Sequence, residues 1–163
     1  MDLIKYEKKY WDEGFQKIVG IDEAGRGPLA GPVVAASVIL KPYEIIEGVK
    51  DSKKLSSKKR RDLFNQIYEK ALSVGVGIVD EDIIDEINIL KATFLAMKKS
   101  LGNLNLKPDK VLIDGPYSDI TIYPTDYIVN GDNISQSIAA ASIIAKVTRD
   151  EIMYEYDKIF PDY

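Results

Sequence analysis

The chain contains no cysteine and no histidine. Without cysteine, disulfides, thiolate nucleophiles and zinc–thiolate sites are excluded. Without histidine, the commonest general base and the usual imidazole ligand of zinc are missing as well. Any catalytic centre must therefore be built from carboxylates, Lys, Tyr, Ser or Thr. Long apolar runs are also absent: no segment approaches the ~20 apolar residues of a membrane span. The opening "MDLIKYEKKYWDEG" is charged and aromatic, unlike the apolar stretch of a signal peptide, so no membrane association and a cytoplasmic location are expected. The net charge of -4 argues against a generally basic, nucleic-acid-coating protein, but it leaves room for a local basic patch. No repeat, low-complexity tract or linker interrupts the sequence.

What remains is the composition of an ordinary globular chain. At 163 residues, 45% hydrophobic and 29% charged, it is long enough to bury a real core and short enough for one domain, residues 1–163. Residues 1–13 read as a short polar helix or arm. "FQKIVGID" and "PVVAASVIL" read as two strands, and the glycine-rich turn between them (Gly25, Gly27, Pro28, Gly31) suggests an antiparallel pair. "SSKKRRDLFNQIYEKAL" is an amphipathic helix behind a serine cap. "SVGVGIVD" alternates as a third strand, and "DEDIIDEINILKATFLAMKKSLGNL" gives one or two helices stopped at Gly102 and Asn103. "DKVLIDG" has the nearly unbroken apolar character of a strand covered on both faces. "TDYIVNGD" is the fifth strand. From Asn133 to about Ile159 a long helix follows, with an almost uncharged middle. This order suits an α/β fold, a mixed five-stranded sheet flanked by helices.

Three places put a carboxylate directly after an apolar strand: Asp22 with Glu23, Asp114, and Asp132. Strand ends in open α/β sheets are where ligand sites are usually built, so the four carboxylates could converge. Like charges that crowd together raise one another's pKa, and a cation would relieve them. With oxygen ligands alone, the hard ions Mg²⁺ or Mn²⁺ are favoured, with Ca²⁺ possible in geometry. Two such ions roughly 3.5–4 Å apart are a standard arrangement for phosphodiester cleavage, a chemistry that needs no histidine. Each carboxylate also has a plainer reading. Asp22 and Glu23 fit a solvated turn, the "DGP" at Asp114 is ordinary turn chemistry, and Asp132 or Asn133 fits the cap of the last helix.

Two further features concern phosphate. Gly25-Arg26-Gly27 combines glycines that let main-chain N–H groups approach a phosphate or sugar with a guanidinium suited to phosphate; its plainer reading is a tight turn with an exposed arginine. "DSKKLSSKKRR", residues 51–61, carries six basic residues between Lys53 and Arg61 and would make a local phosphate-binding face, unless it is simply a solvated helix start. Ser52 and Lys53 lie earliest in that loop and are the candidates for direct contact. Nothing matches G-x-x-x-x-G-K-[ST], which removes a P-loop NTPase.

Five blocks in order, "GIDEAGRGPLAGPVVAA", "DSKKLSSKKR", "INILKATFLAM", "VLIDG" and "GDNISQSIAAASIIAKVTRD", make the chain resemble ribonuclease HII over nearly its whole length. The resemblance implies a ribonuclease-H-like fold. It implies endonucleolytic cleavage of the RNA strand of RNA–DNA hybrids and nicking of duplex DNA 5′ to an embedded ribonucleotide, leaving a 3′-hydroxyl and a 5′-phosphate. It implies two metal ions, Mn²⁺ or Mg²⁺, held by Asp22, Glu23, Asp114 and Asp132. The backbone of Gly25, Arg26 and Gly27 would read the ribose 2′-hydroxyl, and Ser52 and Lys53 would contact phosphate. Asp150 in "TRD" also matches a family motif and is expected to be structural, held by Lys146 and Arg149 on the same helix. The family usually continues past "FPDY" through an aromatic and basic stretch with a substrate-stacking tyrosine. By that comparison the chain, ending at Tyr163, looks like a core without the family's C-terminal helices. Two alternatives follow: a core that binds hybrid with little turnover, and a non-enzymatic domain in which the acidic cluster merely binds a cation. A monomer is expected, since a duplex substrate needs one site.

Overall fold

In the computed structural model, residues 3–25, 30–49, 54–116 and 120–159 are described. Strands β1 (Ile18–Ala24) and β2 (Val33–Ile39) pair antiparallel, in the register Val19 with Ile39 through Ala24 with Val34. After helix α2 (Ser57–Lys70), β3 (Ser73–Val79) adds antiparallel to β2. Helices α3 (Glu81–Ile87) and α4 (Ile89–Gly102) then carry the chain back, and β4 (Lys110–Asp114) joins β1 in parallel. Strand β5 (Thr125–Ile128) pairs parallel to β4, which gives a mixed five-stranded sheet in the order β3-β2-β1-β4-β5. Helix α1 (Lys5–Asp12) precedes the sheet, and the long helix α5 (Gln136–Ile159) closes the chain.

The apolar run of β2 reflects cover on both faces. Val34, Ala36 and Val38 pack with Ala139, Ala140, Ile143 and Ile144 of α5, whereas Val33, Ala35 and Ile39 pack with Ala92, Ala96 and Met97 of α4. Ser37 joins the α4 side and meets Ser100 Oγ at 2.7 Å, so the one polar residue of the strand is hydrogen-bonded. Helix α2 begins as its sequence says, with Ser56 Oγ accepting the Lys59 N–H. No helix among the described residues is long and apolar enough to cross a membrane.

Gly20 explains how closely α5 lies on the sheet. A Cβ there would stand 2.2 Å from the Ser137 carbonyl carbon, so the first turn of α5 rests on bare β1 backbone. Gly20→Ala is expected to cost about 2 kcal/mol, because main chain rather than a flexible side chain has to move. Urea unfolding measures it; an unchanged midpoint and slope would show that α5 can shift freely.

Of the two readings of the N-terminal segment the structure has the helix, docked with Trp11 and Glu7 buried. Two boundaries differ from the sequence reading. Strand β5 stops at Ile128, and the left-handed Asn130 (φ 58°) turns the chain into a 3₁₀ turn, Gly131–Asn133. Helix α5 therefore starts at Gln136 rather than Asn133, and Asp132 is not its cap. Ser135 takes that place, its hydroxyl accepting the Ile138 N–H at 3.2 Å.

Candidate active site

Parallel register places the first two carboxylates side by side. Gly20 pairs with Leu112 and Ile21 with Ile113, so Asp22 and Asp114 each sit one step further along neighbouring strands. Alternation along the strands then directs both to the same face of the sheet. The third comes from the 3₁₀ turn ahead of α5. Asp22, Asp114 and Asp132 each offer a carboxylate oxygen within 4.8 Å of the others. Asp114 Oδ1 accepts the Gly131 N–H at 3.3 Å, which ties β4 to the turn that carries Asp132.

Asp22 and Asp132 are buried, at 8% and 9% exposure. Burial, then the charges of Glu23 and Asp114, and more weakly Asp132, push the Asp22 carboxyl well above its ordinary range; the Glu23 N–H at 2.8 Å from Asp22 Oδ1 only partly opposes this. Glu23 follows Asp22 on β1, and alternation turns it toward the α4 side. There it lines a groove of about 140 Å³ with Leu90, Phe94 and Met97 of α4, and with Asp22 and Asp114. Three of the four expected carboxylates thus form the tight group, and the fourth borders it through the groove wall.

Such a group fits a hard divalent cation. Every donor is a carboxylate oxygen, and Asp22 is held up by burial and by the charges of Glu23 and Asp114, a crowding that a cation would relieve. Mg²⁺ or Mn²⁺ is expected to raise the melting temperature, by about 1.4 kcal/mol of stability at ten times Kd. Thermal unfolding with and without chelator reads this out; no shift at millimolar metal would count against the site.

The phosphate-contact residues divide. Gly25 is described, with a left-handed backbone (φ 101°). Arg26, Gly27, Ser52 and Lys53 lie outside the described residues. Of the basic run, Arg60 and Arg61 are engaged by acids of α5: Arg60 with Asp150 at 3.7 Å, and Arg61 with Glu151 in close contact. Lys58 and Lys59 remain exposed at the start of α2. Asp150 was expected to pair with Lys146 and Arg149, but its partner is Arg60 of α2. Arg149 turns away toward the main chain of the glycine-rich turn. The α4 wall went unassigned in the sequence, because Leu90, which is 48% exposed, reads as one more apolar residue of an amphipathic helix.

A mixed sheet with acidic groups at the carboxyl ends of its central parallel strands belongs to the ribonuclease-H-like fold. The structure of ribonuclease H2 from Pyrococcus horikoshii OT3 superposes with a TM-score of 0.80 at 29% identity, covering 90% of this chain and 78% of that one. Sequence narrows the class to a family: the family model for ribonuclease HII matches residues 19–163, and the chain belongs to that family. Ribonuclease HII of Clostridioides difficile (strain 630) is 56% identical over 161 residues, and that of Acetivibrio thermocellus is 56% identical over 163. These alignments take in 97% and 100% of this chain but 62% and 64% of the relatives, so the chain spans less than two thirds of their length.

Proposed function

We propose that the chain is the catalytic domain, residues 1–163, of a metal-dependent endoribonuclease. It hydrolyses the RNA strand of RNA–DNA hybrids and nicks duplex DNA 5′ to an embedded ribonucleotide. The observation that carries the reading is the convergence of Asp22, Asp114 and Asp132 from three distant segments to within 4.8 Å, at a position where Asp22 is buried among other carboxylates. Family membership supports this choice of substrate class.

In this reading Asp22, Asp114 and Asp132, with Glu23 beside them, hold two Mg²⁺ or Mn²⁺ ions. When bound, those ions supply water activation and charge stabilisation at the leaving oxygen. The remaining work falls to the chain. The Gly25–Gly27 backbone meets the 2′-hydroxyl, the group that distinguishes RNA from DNA, and Ser52 and Lys53 take the neighbouring phosphate. The Phe94 and Leu90 wall limits water on the α4 side of the groove. Hydrolysis joins a water oxygen to phosphorus and breaks the P–O3′ bond, giving a 5′-phosphate and, after protonation, a 3′-hydroxyl. One site serves one duplex, which fits a monomer.

The test is cleavage of a labelled DNA duplex containing a single ribonucleotide, with Mg²⁺ or Mn²⁺, by the chain and its Asp22→Asn variant. A nick 5′ to the ribonucleotide from the parent alone supports the proposal. Equal cleavage by both refutes the assigned centre. The shorter span relative to the relatives favours one second reading, a core that binds hybrid and turns over poorly. Metal binding and hybrid binding without a nick would select it.

A further inference from the structure

The "TRD" segment of α5 holds an arginine that the site above does not use. Arg149 stands beside two acids on its own helix, yet both are engaged by α2: Asp150 by Arg60 and Glu151 by Arg61. Its guanidinium instead donates to two main-chain carbonyls, Nε to Pro32 O at 3.0 Å and Nη2 to Ala30 O at 3.2 Å. A planar fork can reach two carbonyls at once, which the single ammonium of lysine cannot do in the same geometry.

Those carbonyls close one end of the glycine-rich turn, and Gly25 closes the other. A Cβ at Gly25 would lie 2.5 Å from Arg149 Nε and equally close to Pro32 O. A Cβ at Gly31 would lie 3.0 Å from Arg149 Nη2 and 2.5 Å from Met153 Sδ. Both glycines have left-handed backbones, φ 101° and 127°, which L side chains rarely adopt. The guanidinium is therefore wedged between the two ends of the turn, in a space that exists only because both ends lack side chains. Gly25 lies two residues beyond Glu23. The same α5 helix begins three residues after the turn that carries Asp132. One rigid helix thus grips the mouth of the turn near one end and abuts the carboxylate group near the other.

We infer that Arg149 is a positioning residue: by clamping Gly25 to residues 30–32, it fixes the glycine-rich turn relative to Asp22, Glu23 and Asp132, and so sets where the ribonucleotide lies against the carboxylates. The inference rests on the endoribonuclease reading. Misplacing a bound substrate by an ångström lowers turnover more than binding, so Arg149→Met should reduce kcat by tenfold to a hundredfold with a smaller change in KM. A residue that served stability alone would lower the melting temperature and leave kcat intact at temperatures where the variant is folded.

The experiment compares parent, Arg149→Met, Arg149→Lys and Arg149→Ala on a duplex containing one ribonucleotide. Amide hydrogen exchange is read over residues 24–35, and over β4 as an internal control. The expected result is a loss of kcat in all three variants, partial recovery of the alanine variant by millimolar guanidinium but not by methylammonium, and faster exchange at 24–35 with β4 unchanged. Unchanged kcat in the variants of an active parent overturns the inference and leaves the function standing. A parent that does not cleave removes the function reading instead. The exchange result then decides alone, and unaltered exchange at 24–35 in Arg149→Met shows that the arginine does not hold the turn.

Discussion

Asp22→Asn is expected to abolish cleavage and, in the metal-free protein, to raise the melting temperature. The two effects share one cause. At neutral pH the Asp22 carboxyl is driven upward first by burial and then by Glu23 and Asp114, so holding it ionised works against the fold. Asparagine keeps the shape and one acceptor for the Glu23 N–H while removing the charge. A stabilisation of 1 kcal/mol would move the midpoint by about 2–4 °C in a domain of this size. Activity falls for the opposite reason: the carboxylate central to the group can no longer help hold the cations. Losing several kcal/mol of transition-state stabilisation corresponds to a decrease on the order of 10³-fold or more. Thermal unfolding in chelator and a cleavage assay in Mn²⁺ test both halves. A variant that unfolds, or that cleaves within tenfold of the parent, would contradict this account of the site.

Glu7 should make the protein less stable as pH rises from about 4.5 to about 7. It is fully buried on α1, where its Oε2 accepts both the Ser137 N–H and the Ser137 hydroxyl at 3.0 Å. Those bonds satisfy some of the N–H groups left open in the buried first turn of α5. Even so, burial outweighs them and pushes the carboxyl from its ordinary 4.5 up to about 7. A carboxyl raised in the folded state contributes its full stability below pH 4.5 and loses it as pH climbs through 7. The difference amounts to about 3 kcal/mol at 1.36 kcal/mol per unit. Glu7→Gln should flatten this component. Asp22 acts in the same direction, so the quantity to measure is the difference between parent and variant in urea at pH 5 and pH 8. A variant whose stability parallels the parent's across that range would show that Glu7 is already ionised at no cost.

Much of the sheet was legible because its signals are local. The unbroken apolar runs of β2 and β4 announced cover on both faces, and the serine ahead of α2 announced its start. The acidic residues at the ends of β1 and β4 announced a carboxylate group, because strand ends aim side chains. What sequence could not show depends on contacts between distant segments. Nothing near Glu7 says that it will sit under the first turn of α5, since Ser137 is far along the chain. Arg149 looked like a partner for the acid beside it, yet α2 supplies arginines that take both acids and leave Arg149 to the main chain. The left-handed Asn130 shortened β5 and moved the start of α5, a backbone choice that hydrophobic period does not encode.

The parallel pairing of β1 with β4 joins Ile18 to Lys110, across more than half the chain, and only that pairing brings Asp22 beside Asp114. Closing so large a loop is slow compared with forming the β1–β2 hairpin or the helices. The carboxylate group cannot exist until the non-local strand has docked. Adding divalent metal during refolding should therefore leave the early phases unchanged and act on the last one. Cation binding at the carboxylate group would then serve as a clock for the arrival of the central strands.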